Sequence, residues 1–269
     1  MFVFRLNKIK IFNSHERRKI LGIFGNNLAE VKIMSFVSTE FTALPDLDAL
    51  MKSTDIAQQK ALLAQMVSTV ISRRVLTTVE NVKDGQTMTF GDTGFTVFYS
   101  DQIPEQFDWL LAVIESDEKE RDEAKWVSDV IKSKKFSGFT SELTSALKAA
   151  GQGAMLANPA FLASMAIGRF AVDILLEKSK NNKDDQLGLL YMSLNRQQHY
   201  LFGKRDVQDV DDLTGNIKVD YSLFGVDDLV VKPKPPKPPA PPKKKTEKKP
   251  VPKKKPTKKT EPAPKKRPG

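Results

Sequence analysis

The chain has 269 residues, room for one large domain or two small ones with a full core, and no cysteine, which excludes disulfides and thiol chemistry. Its formal charge of +10 is unevenly placed. Residues 232–269 hold 16 Lys and Arg against 2 Glu, a net +14, which leaves 27 basic and 31 acidic residues, a net −4, over 1–231. With only His15 and His199 and no cysteine, neither a conventional nucleophile–base pair nor a structural zinc site is expected.

In chain order, Phe2 to Phe12 alternates apolar and polar positions and predicts a first strand. Arg5, Lys8 and Lys10 interrupt its apolar residues, so it does not read as a secretory signal, and a cytoplasmic setting is the expectation. A basic loop, His15 to Gly25, leads to a second strand, Leu28 to Val37. Pro45 opens a helical region, and Thr54 is placed to cap a helix from Asp55 to about Arg74, with Ile56, Leu63, Val67, Val70 and Ile71 on one face. Strands follow at Val75 to Val82, Gln86 to Phe90 and Phe95 to Ser100, separated by turns at Lys83-Asp84-Gly85 and Gly91-Asp92-Thr93-Gly94. The apolar run Trp109 to Glu115 predicts a buried strand, with a helix from Pro104 as the alternative. Ser116 can cap a charged helix, Asp117 to about Lys132.

Phe136 to Lys180 is the most apolar part of the chain and has helical spacing. Phe136, Phe139, Leu143, Leu147 and Ala150 define one helix ending near Gly151. Asn158 before Pro159 starts a second, running to about Lys180. Its uncharged stretch, Gly153 to Gly168, is shorter than the roughly 20 residues a bilayer span needs. Strands return at Leu187 to Leu194 and Asn216 to Phe224, with an acidic loop containing Asp206, Asp209, Asp211 and Asp212 between them. Beyond Val231 the composition changes abruptly. That segment holds 13 of the chain's 16 prolines and almost no apolar side chains, so it cannot offset the entropy of ordering and is expected to be disordered.

Motifs for chemistry are scarce. Asp92-Thr93-Gly94 matches the triplet of aspartic proteases, but Gly91 before it and Phe95 after it make it a hairpin turn. His15-Glu16 lacks a second histidine at helical spacing, and the Asp206 to Asp212 stretch misses the alternating oxygens of a calcium loop. That stretch reads as a solvated turn or a docking place for the basic tail.

Three segments carry a resemblance: Asn26-Asn27-Leu28-Ala29-Glu30-Val31, AVIESDEK with Glu115 and Asp117, and KDDQLGLL with Asp184, Asp185 and Gly188. Together they resemble the C-two family of calcium- and lipid-binding β-sandwich domains, over about half of 1–231. The resemblance implies a calcium site built from Glu115, Asp117, Asp184 and Asp185. It departs from the family where His15 to Asn27 offers Glu16 and basic residues instead of paired aspartates, and where some sixty residues containing the apolar helices intervene.

The resulting expectation is an α+β protein: an antiparallel β-sandwich of about eight strands over 1–231, a helical insertion at about 117–182, and a disordered Lys/Pro-rich tail at 232–269. The function expected is a non-enzymatic module that docks on a polyanionic surface, an anionic lipid membrane or nucleic acid. Contacts would come from Lys243, Lys244, Lys245, Lys248, Lys249, Lys253, Lys254, Lys255, Lys258, Lys259, Lys265, Lys266 and Arg267. One alternative is a membrane-inserting effector or pore-former acting through 159–176, with Phe161, Leu162, Met165, Ile167 and Phe170 entering lipid. Another is a structural assembly subunit whose apolar helices meet a second copy or a protein partner.

Overall fold

The structure, a computed structural model, describes residues 1–14, 29–115, 123–152, 158–182, 186–200 and 203–226. Its middle strand explains the architecture. β6 (Gln106–Glu115) is apolar at nearly every position because both of its faces are covered. Phe107, Trp109, Leu111 and Val113 point into one core, and Leu110, Ala112 and Ile114 into another. Such a double burial erases the alternation of a half-exposed antiparallel strand.

The first core lies between two antiparallel sheets. One has the order β3 (Val75–Val82), β2 (Ala29–Thr39), β6, β7 (Gln186–Asn195). The other has the order β4 (Thr87–Thr89), β1 (Phe2–Ile11), β9 (Ile217–Gly225), β8 (Lys204–Asp211), and β5 (Phe95–Ser100) also pairs with β1. β5 takes Phe2 to Leu6 of β1, and β4 takes Lys8 to Lys10. Aromatic side chains dominate this core: the ring centroids of Phe4 and Phe107, and of Phe4 and Trp109, are 4.8 Å apart. The buried indole N–H of Trp109 donates to Ser35 Oγ at 3.2 Å, which avoids leaving that donor unpaired.

The second core lies between the β3–β2–β6–β7 sheet and a layer of helices: α1 (Leu47–Lys52), α2 (Ile56–Ser72), α3 (Glu123–Lys132), α4 (Phe136–Gln152) and α5 (Pro159–Asn182). Leu63, Met66, Val67, Val70 and Ile71 of α2 are buried there. Two sequence expectations need correction. Ile56, expected on the buried face, is 61% exposed, and the cap is Asp55, not Thr54: Asp55 Oδ1 accepts from Ala57 N. At α5, Asn158 Oδ1 accepts from Ala160 N as its position before Pro159 predicts. α5 lies over the Phe36 ring at Gly168, where a Cβ would make ordinary contact at 3.5 Å, and Phe170 stacks on Phe139 of α4 at 4.1 Å.

Helices α3 to α5 form an insertion between neighbouring strands, since Ile114 near the end of β6 pairs with Gln186 at the start of β7. The strand at Trp109 begins earlier, at Gln106, and replaces the alternative helix from Pro104. The described residues contain nine strands, because the stretch read as an acidic loop is mostly β8. Its Val207 and Val210 pack on the inter-sheet core, with a bulge between them and Asp209 at φ 54°. The charges that masked it sit on an edge strand, where solvent and lysines meet them: Lys204 pairs with Asp206 at 2.9 Å and Lys218 with Asp211 at 3.2 Å.

Gly188 on β7 is the tightest point between the sheets. It pairs with Val113, and a Cβ on it would come within 2.7 Å of Cγ1 of the fully buried Ile217. Gly188→Ala is expected to destabilise by about 1–3 kcal/mol in urea unfolding, the usual cost of overpacking. An unchanged midpoint would mean that Ile217 has room to turn aside.

The chain divides into two units, Met1–Leu229 and Val230–Gly269, and the second lies outside the described residues.

Candidate functional site

The nominated tail cations, Lys243 to Arg267, lie outside the described residues, as do Asp117, Asp184 and Asp185 of the proposed calcium set. Glu115, its remaining member, is 5% exposed and pairs in register with Val31 at the end of β6. Among the described residues no group of three or more His, Asp or Glu is arranged to hold a metal ion.

The nominated membrane-facing side chains are placed inside the helical layer. Phe161 is 6% exposed, Met165 8% and Ile167 0%, while Phe170 is half-buried against α4 and Leu162 is at the surface at 37%. Pro159–Glu177 of α5 is long and apolar enough to cross a membrane by composition, and two thirds of it is buried in the fold. Ser38 Oγ of β2 donates to Phe161 O at 3.2 Å, which ties the start of this helix to the sheet.

Two polar centres escaped the sequence reading. The first is Asp212, in the link between β8 and β9. Its Oδ2 accepts from Leu189 N and Thr214 N at 2.9 Å and from Thr214 Oγ1 at 2.6 Å, and its Oδ1 from Asn216 N at 3.0 Å and Ile217 N at 3.1 Å. Burial pulls its carboxyl upward, but the bonds from Thr214, Leu189 and Ile217 outweigh burial and hold it below the ordinary carboxylate range. One side chain thus joins β7 of one sheet to the β8–β9 link of the other. The signal for it was present: Asp212, Thr214 and Asn216 alternate ahead of a strand, as in side-chain-stabilised turns.

The second is Asp108, on the helix-facing side of β6 between Ser38 and Ser193 of the flanking strands. It is 4% exposed; Oδ2 accepts from Tyr191 O–H at 2.9 Å and Oδ1 is buried without a hydrogen bond. Burial raises its pKa, against the opposing pull of the nearby Ser193 and Tyr191 hydroxyls. Burial and the bond to Asp108 push the Tyr191 phenol up to about 12.

Comparisons with protein-family models, curated proteins and solved structures find no match for the chain. Its own geometry therefore carries the functional argument. Asp108 and Tyr191 form a carboxyl–phenol pair with no histidine, lysine or cysteine in hydrogen-bond contact with it among the described residues, and Asp212 is saturated by its five donors. Neither arrangement offers a nucleophile with a base beside it. On the strands of the β1 sheet Lys8 pairs with Asp220 at 2.6 Å, alongside the Lys204–Asp206 and Lys218–Asp211 pairs, while Arg5 donates to Thr93 O, Lys10 lies over the Phe12 ring and Arg205 donates to His199 O. The bond to Asp220 chiefly raises the Lys8 pKa.

Proposed function

We propose that the protein is a non-enzymatic module that holds a polyanionic surface through its basic segment, with the sandwich and its helical layer as the folded body that segment carries. The observation behind this reading is the segregation of charge, +14 over 232–269 against −4 over 1–231. The ion pairs of Lys8, Lys204 and Lys218 support it in part, because they take up three of the cations that the β1 sheet presents. The tail has no aromatic side chains for stacking on bases, so recognition rests on charge density: phosphates of nucleic acid or of anionic lipid.

Electrostatic binding of this kind is additive and sensitive to salt. Each Lys or Arg contributes about 1 kcal/mol near an anionic bilayer, and on duplex DNA the logarithmic salt slope is about 0.9 per phosphate neutralised. The full chain is expected to sediment with phosphatidylserine vesicles or to shift duplex DNA at low salt and to release at high salt. A chain ending at Val231 is expected to lose at least about 100-fold in affinity for both. Comparing the two targets at physiological salt identifies the preferred one. Equal binding with and without the tail overturns the reading. Binding to neutral vesicles that survives high salt in the shortened chain would bring forward the alternative in which α5 enters lipid.

A further inference from the structure

The end of β2 lacks a neighbour on one side. β6 covers it as far as Thr39, but β3 pairs only from Ala29 to Ser35, because the chain comes out of α2 and enters β3 at Val75. Among the described residues no strand continues β3 alongside Phe36 to Thr39, although Thr39 itself is taken up by the turn that follows, its N–H donating to Thr42 Oγ1 and its C=O accepting from Thr42 N, both at 2.9 Å. A cleft of about 350 Å³ occupies that place. Phe36 of β2 and Val70 of α2 line it on the helix side, Val97 and Phe98 of β5 on the side of the opposite sheet, and Val75 at the start of β3 borders it. Phe41, 45% exposed, stands at its rim.

The size and chemistry of this space restrict what fits. An extended residue fills roughly 3.3 Å along a strand, 4.8 Å between strands and 10 Å between layers, or about 160 Å³, so the cleft takes about two residues. Its walls are mostly apolar, with the hydroxyls of Ser35, Thr39, Thr42 and Ser164 among them, and Arg73 at the end of α2 borders it. The Arg73 guanidinium donates to Ala43 O at 2.7 Å and pairs with no carboxylate among the described residues. A guanidinium with no carboxylate among the described residues, beside a largely apolar slot, suits a carboxylate on an apolar chain, and the strand edge left uncovered at Val37, between Ser35 and the Thr39 turn, suits one residue of peptide backbone.

We propose that this cleft binds the C-terminal end of a partner polypeptide, two extended residues with apolar side chains, which adds to the edge of β2 beyond β3 and presents its terminal carboxylate to Arg73. This does not depend on the tail's affinity for polyanions. The test titrates N-acetyl-Val-Val, its C-terminal amide, and decanoate into the isotope-labelled full chain, following backbone amide shifts by NMR.

The free acid is expected to shift Val37, Thr39, Phe41 and Val97, with a millimolar dissociation constant suited to so small a probe, and the amide to bind about tenfold more weakly. Arg73→Gln should erase the difference between acid and amide, and Arg73→Lys, which keeps the cation, should retain most of it. Unchanged shifts away from the cleft show that each variant is folded. Equal binding of acid and amide, persistence of the difference in Arg73→Gln, its loss in Arg73→Lys, decanoate binding in place of the peptide, or no shifts at these residues up to about 10 mM ligand would each overturn the proposal.

Discussion

Asp212→Ala is expected to be the most destabilising single substitution in the sandwich, by about 3–5 kcal/mol, because it leaves four backbone N–H groups that now share one carboxylate. Those donors belong to both sheets, so the loss should appear as cooperative unfolding at lower urea and not as local fraying. Asp212→Asn keeps the shape but turns one acceptor oxygen into a donor that faces N–H groups, and it should recover only part of the loss. The pH dependence follows from the lowered pKa. The contribution is complete above the unfolded carboxyl value near 3.9 and is lost as pH falls through the lower folded value. Wild type should therefore lose stability in this acid range while Asp212→Asn, which has no carboxyl to protonate there, should not, so the gap between them narrows as pH falls. Matching acid limbs for the two proteins would show that the network contributes nothing to folding.

Asp108→Asn is expected to act in the opposite direction. A carboxylate that is 4% exposed, with one oxygen lacking a partner, costs the folded state, and a neutral amide of the same shape removes that cost. The gain should be about 1–2 kcal/mol at neutral pH. Since burial raises the Asp108 pKa in the folded state, wild type should gain stability as pH falls through that value and reach the full gain below the unfolded value near 3.9. The variant should lack this rise. Thermal unfolding of both proteins at several pH values measures it; an Asp108→Asn protein less stable than wild type at neutral pH would mean that the bond from Tyr191 needs a charged acceptor. Tyr191→Phe separates the two cases, because it removes that donor and leaves the carboxylate.

The two-sheet organisation and most of the helices were legible because local rules and tertiary burial agree there. Alternation marked β1 and Asn158-Pro159 marked the start of α5, whereas the Asp84-Gly85 turn, though present, carries the chain from β3 of one sheet to β4 of the other and closes no hairpin. β8 was not legible because its charged residues are on an edge strand, where an acidic strand and an acidic loop look alike in sequence. Asp55 and Thr54 are both good caps, and only the backbone geometry of the first turn chose Asp55. The Asp108 centre needed the pairing of Asp108 with Ser193, two residues far apart in the chain, and the cleft beside β2 exists only because β3 starts at Val75 while β2 runs on to Thr39.

By itself the sequence determined the distribution of charge, the absence of thiol chemistry and the separation of an apolar body from a Lys/Pro-rich segment, since these are properties of composition that no fold alters. Tertiary structure alone decided that β6 is covered on both faces, that most of the apolar surface of α5 meets the sheet and its neighbouring helices, and that Asp212 and Asp108 are buried. The physical reason is that periodicity tells a helix or strand which face is apolar but not what covers it; burial, hydrogen-bond saturation and an open strand edge are relations between segments that meet only in the folded chain.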